Sequence, residues 1–436
     1  MSIFVLPQDQ TDKTMNTMIC THIVPALSLH SDDVGGYALN LALRLHQSHG
    51  VESRFIVCDP QWNGPSRIEG FTVRRLRLRT EAGLWSLLAA REKAAKDKDS
   101  TVLLHYSGFG YDHLGVPIWL YRGINSWMEE QTGASSVGQK RLCTVFHESF
   151  QSSVEPWKIE FYLRKMQRSL LRRLHLRSRF SVTRTRRMHQ MLEAFEQNKT
   201  LWLPTPSSVP VTDRNHCAKR RNGGLRAVIL GRPDSRAATV KAHANLLRTL
   251  DAKGILASAT LLGTENNTAK TTRADESLLR QCVSPERIGV LGPLNPSDVS
   301  RHLSEADLFL SHCNGETAPE SSAFMAALAA RCPAVLRSGE SPVPLQERGH
   351  FIASDDSNDS VGRFEQIISD GQLEQIAKAG RLWYEQHGDW EVIAKKYLEA
   401  ISQQTAPDGD CLVCRERPNA WEKPLQAARG RVHQAV

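Results

Sequence analysis

The sequence predicts an α/β protein built from two Rossmann-like domains that face each other across a cleft. Three observations carry that expectation. At 436 residues the chain is too long for one ordinary core and suits two domains of about 150–200 residues each. Short apolar runs rich in β-formers alternate with helical stretches, the pattern of a parallel sheet covered by helices on both faces. A polar stretch over 207–224, with Pro, Gly and Lys219-Arg220-Arg221, interrupts the alternation as a linker, and the alternation restarts at Leu225.

The first series has predicted strands at Ile19–Leu27, Ser53–Cys58, Thr101–Tyr106, Arg141–Phe146 and Phe180–Thr183, with helices at Tyr37–His49 and Leu84–Lys96. The second has strands at Arg226–Leu230, Ser258–Leu262, Arg287–Leu291, Leu308–Ser311 and Ala334–Leu336. Its helices are expected near Val240–Lys253, Asn295–Ser304, Ser321–Ala330 and Arg363–Ile368. The resulting limits are an extension over 1–17, a first domain over 18–206, the linker, a second domain over 225–380 and a last helix over 381–402. The tail over 403–436 mixes Pro, Gly and charge with little periodicity, so it is expected to be disordered or to add a peripheral helix. Open α/β sheets bind ligands at the carboxyl ends of their strands, which makes the cleft the expected site.

Composition narrows the function. No run approaches the roughly 18 consecutive apolar residues that span a bilayer, and the first fifteen residues, with Gln8, Asp9, Gln10 and Asp12, lack a signal peptide's apolar segment. A cytoplasmic location is expected. The nine cysteines are scattered apart from Cys411 and Cys414, which fits a reducing compartment, and that lone pair lacks the second pair of a zinc site. The net charge of +8 is uneven: Arg164 to His189 holds ten Lys or Arg and no acid. Leu163, Met166, Leu170, Leu171 and Leu174 recur there at helical spacing, so an amphipathic helix with a basic face is expected. That face is either a solvated surface or one that meets anionic lipid at the inner membrane face. Without interleaved aromatics or a base-reading motif, no nucleic-acid partner is expected.

Several motifs fall where the cleft should be. Asp32-Asp33-Val34-Gly35-Gly36-Tyr37 joins the first strand to the first helix. Its glycines can bring main-chain N–H groups against a phosphate or sugar, or can simply make a tight turn. Gly108-Phe109-Gly110 follows a strand, but position 113 is His, so the spacing of a dinucleotide fingerprint fails. Tyr106 and Gly108 then read as a loosened loop lining the cleft, with His105 as a lesser candidate beside Tyr106. Phe146-His147-Glu148 ends another strand; an isolated histidine there is either structural or a proton donor near neutrality. In the second series, Leu230-Gly231-Arg232 follows the first strand, Lys241 stands nine residues on, and Arg236 lies between them. The stretch from Ser311 closes on Cys332-Pro333-Ala334-Val335, and the last helix reads Trp390-Glu391-Val392-Ile393-Ala394 to Leu398.

In this order, from about Ile19 to Ile401, the motifs resemble the nucleotide-sugar glycosyltransferases of the GT-B fold. They are most similar to the large retaining group that includes many bacterial polysaccharide and lipid glycosyltransferases. The resemblance implies that Gly35, Gly36, Arg232 and Lys241 face the donor diphosphate and that His147, with Glu148, lies beside the transferred sugar. With the Cys332-Pro333 end aligned, Ala318 and Ala326 stand where that group usually has two glutamates. Glu316, Glu320, Ser321 and Ser322 are then the available ligands for donor sugar and nucleotide. The last helix would return to the first domain.

The chemistry is consistent with this: fixed cations and backbone dipoles stabilise a departing diphosphate where water is excluded, and no metal or further cofactor is implied. The expected activity is transfer of a hexose from a nucleotide-diphosphate sugar to a hydroxyl of a saccharide or lipid-linked acceptor, with retention. Loss of the glutamate pair leaves open a degenerate sugar-nucleotide-binding protein, and a phosphorylase or epimerase of the same fold is a third reading.

Overall fold

The computed structural model describes residues 18–27, 34–95, 100–130, 141–147, 159–211, 224–263, 269–339 and 345–402. Two sheets organise them. In chain order the first series is β1 (Ile19–Val24), α1 (Val34–His49), β2 (Glu52–Val57), β3 (Arg67–Ile68), β4 (Phe71–Arg75), α2 (Glu81–Ala95), β5 (Ser100–Tyr106), α3 (Gly108–Tyr111), α4 (Ile118–Glu129), β6 (Arg141–Phe146), α5 (Ile159–Arg177), β7 (Phe180–Thr183), α6 (Arg186–Glu193) and β8 (Thr200–Trp202). The strands form one sheet in the order β3-β4-β2-β1-β5-β6-β7-β8, parallel throughout except that β3 runs antiparallel to β4. All six residues of β1 are buried, as expected of a central parallel strand covered on both faces.

The second series is β9 (Leu225–Gly231), α7 (Pro233–Ala242), α8 (Ala244–Ala252), β10 (Leu256–Gly263), α9 (Ala269–Arg280), β11 (Ile288–Pro293), α10 (Pro296–Glu305), β12 (Leu308–Ser311), α11 (Ser322–Ala329), β13 (Ala334–Arg337), β14 (Ile352–Ser354), α12 (Asn358–Ser369), α13 (Leu373–His387) and α14 (Trp390–Ser402). Its parallel sheet has the order β11-β10-β9-β12-β13-β14. Trp383 and Tyr384 of α13 belong to the second core, whereas Ile393, Ala394, Tyr397 and Ile401 of α14 pack in the first with Tyr37 and Leu41 of α1. The Tyr37 and Tyr397 hydroxyls lie 3.2 Å apart, and Trp390 Nε1 donates to Ser207 O at 2.8 Å. The crossover back to the first domain therefore falls at Gly388, between α13 and α14, and not after residue 380.

Other expectations shift locally. The helix expected over Val240–Lys253 is broken at His243, whose backbone leaves helical geometry (φ −129°, ψ 27°) while its ring, fully buried, bonds Ser311 O at 2.9 Å. The basic run is not one helix: α5 ends at Arg177, and β7 intervenes before α6. Leu170, Leu171 and Leu174 are buried as expected, but Met166 is 47% exposed, off the core-facing stripe. The helix expected from Ser321 is α11, which begins at Ser322 after a separate 3-10 turn over Ala318–Glu320.

Candidate functional site

The first sheet carries a chain of three histidines toward the carboxyl ends of its strands, His22 and His105 buried and His147 half-buried. On adjacent parallel strands, His22 of β1 is in register with Leu103, two residues before His105 of β5; His105 is in register with Val145, two residues before His147. Side chains two apart share a face, so the rings climb diagonally across the face covered by α1 and α14. His22 Nδ1 is 3.0 Å from His105 Nε2, and His105 Nδ1 is 3.2 Å from His147 Nε2. Arg184, just beyond β7, places Nη1 3.3 Å from His147 Nδ1, and at the other end His22 Nε2 reaches Ser53 Oγ at 3.3 Å. Burial lowers the affinity of all three rings for a second proton, holding His22 down to about 3 and the others well below the usual range. They are therefore neutral. Both ring nitrogens of His147 are engaged within the protein, and Glu148 lies outside the described residues.

Across the cleft, the turn before α11 meets the amino terminus of α6. Glu320 Oε1 accepts the Arg186 backbone N–H at 2.9 Å, and Glu316 Oε1 lies 3.5 Å from Arg186 Nη1. A carboxylate is well placed at a helix start, where N–H groups lack partners. Burial raises the Glu320 pKa, against the lowering effect of the Arg186 N–H. Thr205 N donates to Pro319 O at 2.8 Å beside them. Ser321 caps α11, accepting from Phe324 N, and Ser322 is its first residue. Thus Glu316 and Glu320, 130 and 134 residues from Arg186, bridge the two domains.

Two cations singled out in the sequence, Arg232 and Lys241, follow the carboxyl end of β9. β9 ends on Gly231, whose φ of +146° is a conformation glycine adopts without strain. Arg232 follows as the amino-terminal boundary of α7 and is exposed. Thr239 Oγ1 accepts from His312 N at 3.1 Å and His243 holds Ser311 O, so the exposed Lys241 sits between two anchors to the end of β12. Neither Arg232 nor Lys241 has an ion pair among the described residues. Arg236 differs. Its buried guanidinium pairs with buried Asp275 at 2.6 Å and donates to Gly231 O at 2.8 Å and Leu262 O at 3.3 Å, so it ties strand ends together and is closed to a ligand.

The remaining candidates have local packing explanations. A Cβ on Gly35 would lie 2.3 Å from Ala26 O, so α1 approaches the end of β1 where only glycine fits; Gly36, next to it, is buried too. The Tyr106 ring is buried between Tyr111 and Phe146. Gly108 starts the one-turn α3, capped by Ser107, and a Cβ there would meet Gly115 O at 2.8 Å. Sequence reasoning missed Arg184, Arg186 and His22. The available signal was three histidines each near the end of an apolar strand. Among the described residues no cluster of three His, Cys, Asp or Glu is placed to hold a metal ion.

The architecture decides the fold. A glycosyltransferase structure from Rickettsia africae superposes with a TM-score of 0.60 at 12% identity, covering 88% of this chain and 98% of that one. The chain has the GT-B fold. Anabaena HepE, solved with UDP-glucose, superposes with a TM-score of 0.57 at 11% identity, over 88% of this chain and 99% of its own. TarM from S. aureus, in a mutant complex containing UDP, gives 0.57 at 9% identity, over 88% and 100%. No protein-family model matches the sequence, and neither does any curated protein.

Proposed function

We propose that the protein is a glycosyltransferase that moves a hexose from a nucleotide-diphosphate sugar to a hydroxyl of a saccharide or lipid-linked acceptor, with retention. The observation that most supports this is the pair of exposed cations, Arg232 and Lys241, following the carboxyl end of β9 without carboxylate partners among the described residues. A leaving diphosphate gains negative charge as the glycosidic bond breaks, and such cations stabilise it, Arg as a planar fork and Lys as a point charge. HepE and TarM, solved with UDP-glucose and UDP, share this fold. Glu316, Glu320, Ser321 and Ser322 would present the carboxyl and hydroxyl groups that hold ribose or sugar. His147 would act at the sugar through its surroundings, and Glu148 remains a candidate on sequence grounds alone. The test is a thermal-shift and hydrolysis screen against UDP-, GDP-, ADP- and TDP-sugars. One donor should stabilise the protein and slowly release its nucleoside diphosphate, and Arg232→Ala should lower the release roughly 100-fold, as removal of one donor to a developing oxyanion does elsewhere. No shift and no release with any donor would favour the degenerate binding protein.

The acceptor side has a surface suited to anionic lipid. Exposed Phe109, Leu114 and Ile118 adjoin α5, where Gln167 Nε2 donates to Leu114 O at 3.0 Å and Met166 is exposed. Arg164, Lys165, Arg168, Arg172 and Arg173 lie on the same helix. Among the described residues no helix is long and apolar enough to cross a membrane. At about 1 kcal/mol per cation near the surface, the triple change Arg168→Gln, Arg172→Gln and Arg173→Gln should weaken binding to phosphatidylserine vesicles roughly 100-fold. Unchanged co-sedimentation would remove the lipid surface.

A further inference from the structure

We infer that Arg184 is a phosphate-binding residue on the amino-terminal wall of the cleft, held in place by the histidine chain. A guanidinium cannot accept a hydrogen bond, so Arg184 Nη1 must donate and His147 Nδ1 must be the lone-pair side of its ring. One choice then sets all the others. With Nδ1 accepting, His147 carries its proton on Nε2 and donates to His105 Nδ1; His105 in turn donates from Nε2 to His22 Nδ1, and His22 donates from Nε2 to Ser53 Oγ. Three neutral rings thus align their dipoles with the electron-rich end toward the guanidinium.

The consequence is an oriented cation with no carboxylate bonded to it among the described residues. Nε of Arg184 donates to the Thr205 hydroxyl at 3.0 Å, and its guanidinium lies 5.2 Å over the Tyr37 ring, so every contact it makes among the described residues is with a neutral group. A half-buried arginine ordinarily takes a carboxylate partner. Here the neighbouring Arg186 takes Glu316, and Glu320 spends Oε1 on the Arg186 backbone, although it is close enough to feel the charge of Arg184. Nη2 of Arg184 has no protein partner among the described residues, which leaves its N–H pair for an oxyanion. Arg184, His147 and Thr205 belong to the first domain, where Thr205 N meets Pro319 O of the second, the domain that also carries Arg232 and Lys241. A phosphoryl group lying between the two domains would meet cations from both. That group is either the diphosphate of the donor or a phosphate carried by the acceptor.

The assignment is tested on the full chain by two measurements that need no turnover. In the first, ¹⁵N spectra of histidine-labelled protein should show the three rings as neutral Nε2–H tautomers between pH 5 and 8, and Arg184→Met should perturb His147. An Nδ1–H tautomer at His147 in the unmodified protein overturns the inference, whether or not any variant folds. In the second, calorimetric titration with inorganic pyrophosphate should show Arg184→Gln binding about tenfold or more weakly, with Arg184→Lys retaining most of the affinity. A parallel loss of UDP affinity in Arg184→Gln identifies the donor diphosphate. Intact UDP affinity, with weakened binding of inorganic phosphate to the UDP-saturated protein, identifies the acceptor. Folded Arg184→Gln that binds pyrophosphate, UDP and phosphate like the unmodified chain overturns it. Because the readout is anion binding, Arg184-dependent binding without transfer from any donor would sink the transferase reading and keep this site.

Discussion

Replacing Gly35 by Ala is expected to destabilise the protein by about 3 kcal/mol, near the upper end for inserting a methyl group into a packed site, and to lower Tm by about 5–10 °C. The reason is geometric. The added Cβ would lie 2.3 Å from Ala26 O and 2.9 Å from Leu27 Cα, both main-chain atoms that no rotamer change can move aside. α1 would have to lift away from the segment after β1. That helix places the Tyr37 ring against His147, with centroids 5.0 Å apart, and packs Leu41 and Leu45 with Ile393 and Tyr397 of α14. A shift of α1 therefore loosens the last helix together with the first. This also separates the two meanings of the glycine pair. If Gly35 is there for packing, the folded fraction of Gly35→Ala should bind the sugar nucleotide normally while thermal unfolding comes early. A variant as stable as the unmodified chain that has lost nucleotide binding would instead make this turn the phosphate cradle.

What could be read from the sequence was what repeats along it. Buried parallel strands read as continuous apolar runs, so β1, β5, β6, β9 and β12 stand close to where the alternation puts them. Elements of two or three residues, such as β3 and β8, carry no period to detect. The break at His243 was invisible for another reason. Helical residues flank it on both sides, and the carbonyl that claims its ring, Ser311 O, is 68 residues away. The site obeys the same rule. Arg232 and Lys241 stood out by residue type after a strand, and Glu316 and Glu320 by being the acids near a helix start. Their relation to Arg186 needed the domains assembled. The histidine chain needed strand register, because only the pairing of His22 with Leu103 and of His105 with Val145 puts three rings on one diagonal. Arg184 looked like one more charge in a basic run, and only its neutral surroundings distinguish it.

Asp275→Ala is expected to cost about 3–5 kcal/mol, the largest loss anticipated for a single change in this chain, measurable as an early thermal or urea unfolding transition of the second domain. The Arg236 side chain is 1% exposed and that of Asp275 0%, with the charged atoms 2.6 Å apart. Removing the carboxylate leaves a guanidinium buried without a counter-charge, and the two carbonyls it also meets, Gly231 O and Leu262 O, do not neutralise it. The double change Arg236→Met with Asp275→Leu removes both charges, so it should lose less than the sum of the two single changes; the shortfall measures their coupling. An Asp275→Ala protein as stable as the unmodified chain would mean that water reaches the guanidinium. The double variant also bears on the site. Arg236 binds the ends of β9 and β10 four residues after Arg232, close enough in sequence to be mistaken for a ligand. If it acts only by tying those strand ends, a folded double variant should keep its affinity for the sugar nucleotide within a few-fold. A loss as deep as that of Arg232→Ala would place Arg236 among the groups that the diphosphate touches, and would require the buried pair to open when the donor binds.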